Sequence, residues 1–262
     1  MAVLAPHDYL LHLADNAMVL GQRNAEWCGH GPVLEEDIAL ANISLDLIGQ
    51  SRLVYQHAAQ QMAPGTTEDT LAYFRDPNQF RNYTLLELPH HGPLAGTALA
   101  DRDYATTIMR NYLYSELMIL LWGALQQSKD GQLAAIAAKS LKETRYHLRH
   151  ARDWVVRLGD GTDESHDRSQ AALDHLMPYT QEFWTRGSAE AQASANGTGV
   201  VARELQAAWD EAVDATLAEA TLRRPKPGGH VTRGKEGLHS EHLSYMLGEM
   251  QSLARQHPGA TW

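Results

Sequence analysis

Glu143-Thr144-Arg145-Tyr146-His147 and Leu47-Ile48-Gly49-Gln50 lie in two long apolar stretches, with Glu116 in a third. Residues three apart share a helix face. A Glu-x-x-His on each of two helices, with one Glu from each of two others, can therefore grip a pair of iron atoms. The layout is that of a carboxylate-bridged di-iron bundle, but the residue types are not. Thr144 stands where a Glu should precede His147. If Leu47 and Gln50 occupy the other Glu-x-x-His places, both ligands are missing; if Asp46 and Gly49 occupy them, the imidazole is missing. Such a site needs about six ligands, mostly carboxylates, and only about three can be named here. Glu143, next to Thr144, allows a shifted ligand set. Two readings stay open. One is a buried, metal-free polar network made of Asp46, Gln50, Glu116, Glu143, Thr144 and His147, with Lys142, Arg145 and His147 as donors to the buried carboxylates. The other is an active di-iron enzyme with unusual ligands. The ligand count favours the first, so no catalytic, cofactor-binding or metal residue is assigned.

Other patterns are weaker. Glu87-Leu88-Pro89-His90 spells Glu-x-x-His, but Pro89 opposes an interior helical turn, so the match reads as chance. His239-Ser240-Glu241-His242 would put two imidazoles three apart on one helix face, with no third zinc ligand identifiable. Cys28, the only cysteine, has no setting that would lower its pKa, and no serine elbow is present. A basic loop stands out in an acidic chain: Arg223, Arg224, Lys226, Arg233 and Lys235, with Gly228-Gly229 between them. Arginine and lysine in such a loop suit phosphates, those of CoA included, or an acidic partner surface. The P-loop spacing is absent, and a solvated loop is the plain alternative.

These residues need elements to position them, and apolar residues recur at helical spacing nearly throughout. The pattern predicts long helices over about 7–28, 34–62, 97–127 and 132–158, and further ones near 166–185, 202–222 and 237–256. Pro32 with two glycines separates the first two, and Pro64-Gly65 ends the second. Residues 66–96 read as an irregular crossover with turns at Pro77, Pro89 and Pro93. Residues 187–200 read as a mobile linker, and 223–236 as a Pro/Gly-rich loop. Helix 34–62 is apolar on nearly all sides, which marks a buried helix; its polar row is Asn42, Asp46 and Gln50. In helix 132–158, Thr144 and His147 fall on the core-facing stripe. The 262 residues show no break in composition, so one domain over 1–262 is expected.

Composition narrows the function. Lys plus Arg is 22 and Asp plus Glu is 32, a formal charge of −10 that argues against nonspecific nucleic-acid binding. A single cysteine allows no internal disulfide, as in a reducing cytoplasm. The longest wholly apolar run, near Met118–Trp122, is too short to span a bilayer, and no signal peptide is visible.

Several segments together resemble the structural, C-type subunit of the bacterial phenylacetyl-CoA epoxidases, the ring-oxygenase complexes of phenylacetate degradation. They are Glu26-Trp27-Cys28-Gly29-His30; Ala39-Leu40-Ala41-Asn42-Ile43-Ser44-Leu45-Asp46-Leu47-Ile48-Gly49-Gln50; and Lys142-Glu143-Thr144-Arg145-Tyr146-His147-Leu148-Arg149. They continue through Arg157-Leu158-Gly159-Asp160-Gly161-Thr162 and Gly237-Leu238-His239-Ser240-Glu241-His242-Leu243 to the closing Trp262. The resemblance implies an all-α, ferritin-like four-helix bundle with extra C-terminal helices. It implies a structural, metal-free subunit that pairs with a homologous catalytic, A-type subunit, holder of the di-iron centre and substrate pocket, and with other epoxidase subunits. The complex would draw electrons from NADPH through a reductase subunit and form the ring epoxide of phenylacetyl-CoA. A stand-alone helical binding module remains the third alternative.

Overall fold

The computed structural model describes residues 3–91, 102–226, 228 and 231–260. Gly229, Trp262, the turn at Pro93 and the start of the helix expected from 97 lie outside them. Among the described residues the fold is all-α: α1 His7–Ala25, α2 Leu34–Ala59, α3 Glu68–Tyr73, α4 Thr84–Glu87, α5 Tyr104–Leu125, α6 Gly131–Gly159, α7 Asp163–Leu176, α8 Ser188–Asn196, α9 Gln206–Glu219 and α10 Glu241–Gln256. An isolated bridge between Arg233 and Leu238 is the β-type pairing found there. None of these helices is long and apolar enough to cross a membrane.

Two compact units divide the chain. The first is Met1–Leu88 with Thr232–Trp262, and the second is Pro89–Val231. In the first, α1 and α2 lie along each other, α4 packs on α1 and α3 on α2, and α10 packs on α3 and α4. Gly21 allows the close approach of the two long helices: a Cβ there would sit 3.3 Å from Leu47 Cβ and 3.3 Å from the Ser44 carbonyl oxygen. In the second unit α5 and α6 lie side by side, with α7 and α9 against them.

Local chemistry sets the helix ends. Asp103 and Asp130 accept from backbone N–H groups of the first turns of α5 and α6, at 2.8 Å for Ala105 and 3.1 Å for Gln132 and Leu133. Both aspartates satisfy donors that the helix leaves unpaired. The helix expected over 166–185 changes character at Pro178: α7 stops at Leu176 and a 3-10 segment continues over Met177–Trp184. A proline cannot donate its share of the α-helical ladder.

Two expectations are corrected. Residues 187–200 are not a linker throughout, since α8 occupies Ser188–Asn196. Its alanines favour helix, the Glu190 carboxylate accepts from the Gly187 N–H at 3.0 Å, and Gly197 closes it with φ of 71°, a conformation suited to glycine. Nor is α2 buried on all sides. One face packs on the core, whereas Leu34, Ile38 and Leu45 are 71%, 52% and 67% exposed.

Candidate functional site

In the first unit the inward face of α2 carries Leu47 and Gln50, both buried. Asp46 is half-buried and Asn42 exposed, so the row Asn42, Asp46, Gln50 does not point inward as a row. Of the two pairs, Leu47 and Gln50 are therefore the one that faces inward, while Asp46 and Gly49 are half-buried. A fully enclosed carboxylate of this helix pair is Asp15 of α1. Tyr55 of α2 and the Arg75 Nη2 donate to its Oδ1, while Arg75 Nη1 and the Arg81 backbone N–H donate to Oδ2 at 3.1 and 2.7 Å. Arg75 also lies 4.2 Å above the Phe80 ring. Burial, followed by the Asp15 charge, pushes the Tyr55 hydroxyl pKa well above its usual value, so Tyr55 remains a donor. With four donors on two oxygens, Asp15 is a structural carboxylate.

A second cluster in this unit involves residues that sequence reasoning set aside. Glu87, fully buried at the end of α4, accepts from Asn82 Nδ2 at 2.9 Å, the Ser240 N–H at 2.6 Å and His239 Nδ1 at 2.8 Å. His239 Nε2 faces the Phe80 carbonyl oxygen at 3.0 Å. Both ring nitrogens of His239 thus face oxygen atoms, one on Glu87 and one on Phe80. His239 precedes α10 rather than lying in it, so it does not share a helix face with His242. Arg23 of α1 donates to the Glu87 carbonyl oxygen at 2.7 Å and to that of His242 at 3.3 Å. The available signal was Glu87-x-x-His90 itself: the carboxylate matters, but its imidazole comes from residue 239.

In the second unit Glu116, Thr144 and His147 are buried. Glu143 is half-buried and meets the exposed Lys139 one turn away at 3.4 Å. Lys142 and Arg145 are exposed, so they do not serve as donors to a buried network. Burial raises the Glu116 pKa above its ordinary 4.5, opposed by the Arg152 cation. Arg152 in turn bonds Glu219 of α9.

These residues do not fit a di-iron centre. Leu47 and Gln50 offer no carboxylate or imidazole, and Thr144 replaces a carboxylate beside His147. Among the described residues no group of three or more His, Cys, Asp or Glu could hold a metal ion.

The basic loop resolves into separate roles. Arg224 is held by Asp210 and, at 2.8 Å, Asp214, over the Trp209 ring. Arg223 exchanges backbone hydrogen bonds with the Gln170 amide, both at 2.8 Å, which leaves its side chain on the surface near exposed Lys226. In the first unit Arg233 bonds exposed Glu236, and Lys235 lies 5.6 Å from the Tyr83 ring centre.

A family model described as "Phenylacetic acid catabolic protein" matches residues 4–262. The chain is 46% identical over 254 residues to a protein of Escherichia coli (strain K12) named as the C component of 1,2-phenylacetyl-CoA epoxidase, spanning 97% of this chain and 98% of that one.

Proposed function

The chain belongs to the phenylacetic acid catabolic protein family, and from that premise we propose that it is a non-catalytic, structural subunit of a ring-epoxidising oxygenase acting on phenylacetyl-CoA. Its all-α fold is ferritin-like, and it takes part in phenylacetate catabolism. The partner in this reading is a homologous catalytic subunit that holds the di-iron centre and receives electrons from NADPH through a reductase subunit. This chain binds neither cofactor. The observation that carries the reading is the inward face of α2, where the buried residues Leu47 and Gln50 offer a metal neither carboxylate nor imidazole.

The outer face of the same helix supports pairing. Leu34, Ile38 and Leu45 fall within about 40° of one another around the axis, at 100° per residue. Obligate interfaces are large and apolar, and a related bundle laid on this face would keep its own ligand helices in place. CoA phosphates remain a target for the basic loop, with Arg223 and Lys226 as exposed cations that make no ion pair among the described residues.

The test is co-expression with the catalytic subunit, followed by iron analysis and turnover. A stable pair is expected, with the iron accompanying the catalytic subunit and turnover falling sharply without this chain. About two irons per isolated chain, lost on Glu116→Ala, would establish an active centre instead. Full turnover by the catalytic subunit alone would exclude the supporting role.

A further inference from the structure

The outer face of α6 is basic in a chain that is otherwise strongly acidic. Residues 131–159 contain Lys139, Lys142, Arg145, Arg149, Arg152 and Arg157 against Glu143 and Asp153. The helix thus carries six cations and two carboxylates, a net +4, in a chain of formal charge −10. At 100° per residue, Lys139, Lys142, Arg145, Tyr146, Arg149 and Arg157 fall within about 60° of one line along the helix. Thr144 and His147 lie on the buried side, and these six are on the exposed one. From 139 to 157 the stripe runs about 27 Å at 1.5 Å per residue.

Lys142, Arg145 and Arg149 make no ion pair among the described residues. Instead the rings organise the arginines: Arg149 lies 5.8 Å from the Tyr146 ring centre, and His150 stacks on Tyr146 at 6.3 Å. Arg157 lies 4.8 Å from the Trp154 ring centre, and Trp154 is itself set edge-on to Tyr104 of α5. The guanidinium groups are therefore preorganised while their charges stay unanswered. Like charges three and four residues apart repel, so a helix that keeps Lys142, Arg145 and Arg149 together is destabilised until an anion is supplied.

We propose that this face docks an acidic protein surface, a helix of a partner subunit with carboxylates at matching three- and four-residue spacing. The idea rests on the reading of the chain as an assembled subunit. The shape selects the occupant. Small anionic ligands take concave sites, whereas this is a convex stripe several turns long. Nucleic acid would meet the repulsion of a chain that carries −14 outside this helix. Exposed charge of this kind steers association and sets orientation. The apolar face of α2 is a separate feature and is unaffected by the changes proposed here.

The experiment uses the full chain and the triple variant Lys142→Glu, Arg145→Glu, Arg149→Glu, all surface positions, with helical content checked by circular dichroism. Affinity for each other purified subunit of the complex is measured at low and high salt. At least one subunit should bind the triple variant tenfold or more weakly than wild type, and its binding to wild type should weaken with salt. If every subunit binds both proteins alike, the docking face is wrong and the subunit assignment stands. If no subunit binds wild type, the assignment falls, and a second probe decides the face. That probe is a helical peptide with Glu at positions i, i+3, i+4 and i+7, titrated into the full chain by NMR. Shifts confined to Lys142, Arg145, Tyr146 and Arg149 support the proposal, and unchanged α6 resonances overturn it. Retention of duplex DNA at physiological salt, lost in the triple variant, would replace the acidic protein with nucleic acid.

Discussion

At the scale of single residues, two buried carboxylates behave in opposite ways. Asp15 is held by the Arg75 guanidinium, the Tyr55 hydroxyl and the Arg81 N–H. Removing one partner of such a pair leaves the other charge buried, which costs about 3–5 kcal/mol. Asp15→Asn should show a loss of that size in urea unfolding, and a loss below about 1 kcal/mol would mean that Arg75 finds water instead. Glu116 is the reverse case, because burial raises its pKa. The folded state then holds the proton more tightly than the unfolded chain. This stabilisation is complete below the unfolded carboxylate pKa and is lost as pH rises through the folded one. Above the ordinary carboxylate range, burying this acid is a cost that the Arg152 cation only partly offsets. Glu116→Gln should therefore raise the melting temperature at pH 7, and the gain should close as the pH falls below the ordinary carboxylate range. An equal gain at all pH values would remove ionisation as the cause.

At the scale of elements, the long helices carry different instructions on different faces. In α2, Leu47 and Gln50 face inward while Leu34, Ile38 and Leu45 stay exposed. In α6, an apolar stripe that includes Thr144 and His147 faces inward, and the cations face out. Close approach between elements is set by small residues. A Cβ on Gly159, the last residue of α6, would collide with the Ala220 carbonyl oxygen and lie 2.9 Å from the Ala220 Cβ, just beyond α9. Backbone cannot swing aside, so Gly159→Ala should destabilise by about 1–3 kcal/mol, the usual cost of overpacking. Gly248, inside α10 with nothing within 4 Å of its added Cβ, is the control. Gly248→Ala should stabilise by about 0.5–1 kcal/mol through helix propensity. The same sign for both substitutions in thermal melts would refute the steric argument.

At the scale of the whole molecule, the exposed apolar face of α2 and the exposed cations of α6 are the surfaces that the proposed assembly would cover. Binding that involves only the native state stabilises it by RT ln(1 + [L]/Kd), about 2.7 kcal/mol at one hundred times Kd. For a chain of this size that corresponds to a rise in melting temperature on the order of 5–10 °C with the catalytic subunit in excess. Leu34→Glu with Leu45→Glu should abolish the rise while leaving the isolated chain's melting temperature nearly unchanged. A full rise in that double variant would place the pairing surface elsewhere.

The all-α class, most helix positions and the mismatch with a di-iron ligand pattern were legible in the sequence alone, because helical periodicity, capping residues and residue type are local. It also carried the family, through segments spread along the chain. It misread 187–200, where Gly, Ser and Ala suggested a linker although the alanines and the Gly187 and Gly197 ends make a helix. It left open whether Leu47 and Gln50 or Asp46 and Gly49 face inward, since a helix apolar all round gives periodicity nothing to grip. Packing against α1 decided that register. Tertiary structure alone paired Glu87 with His239, residues 152 apart in sequence, and Asp15 with Arg75. It also turned Lys142 and Arg145 outward. Such pairings depend on which segments the fold brings together, and no local spacing encodes that.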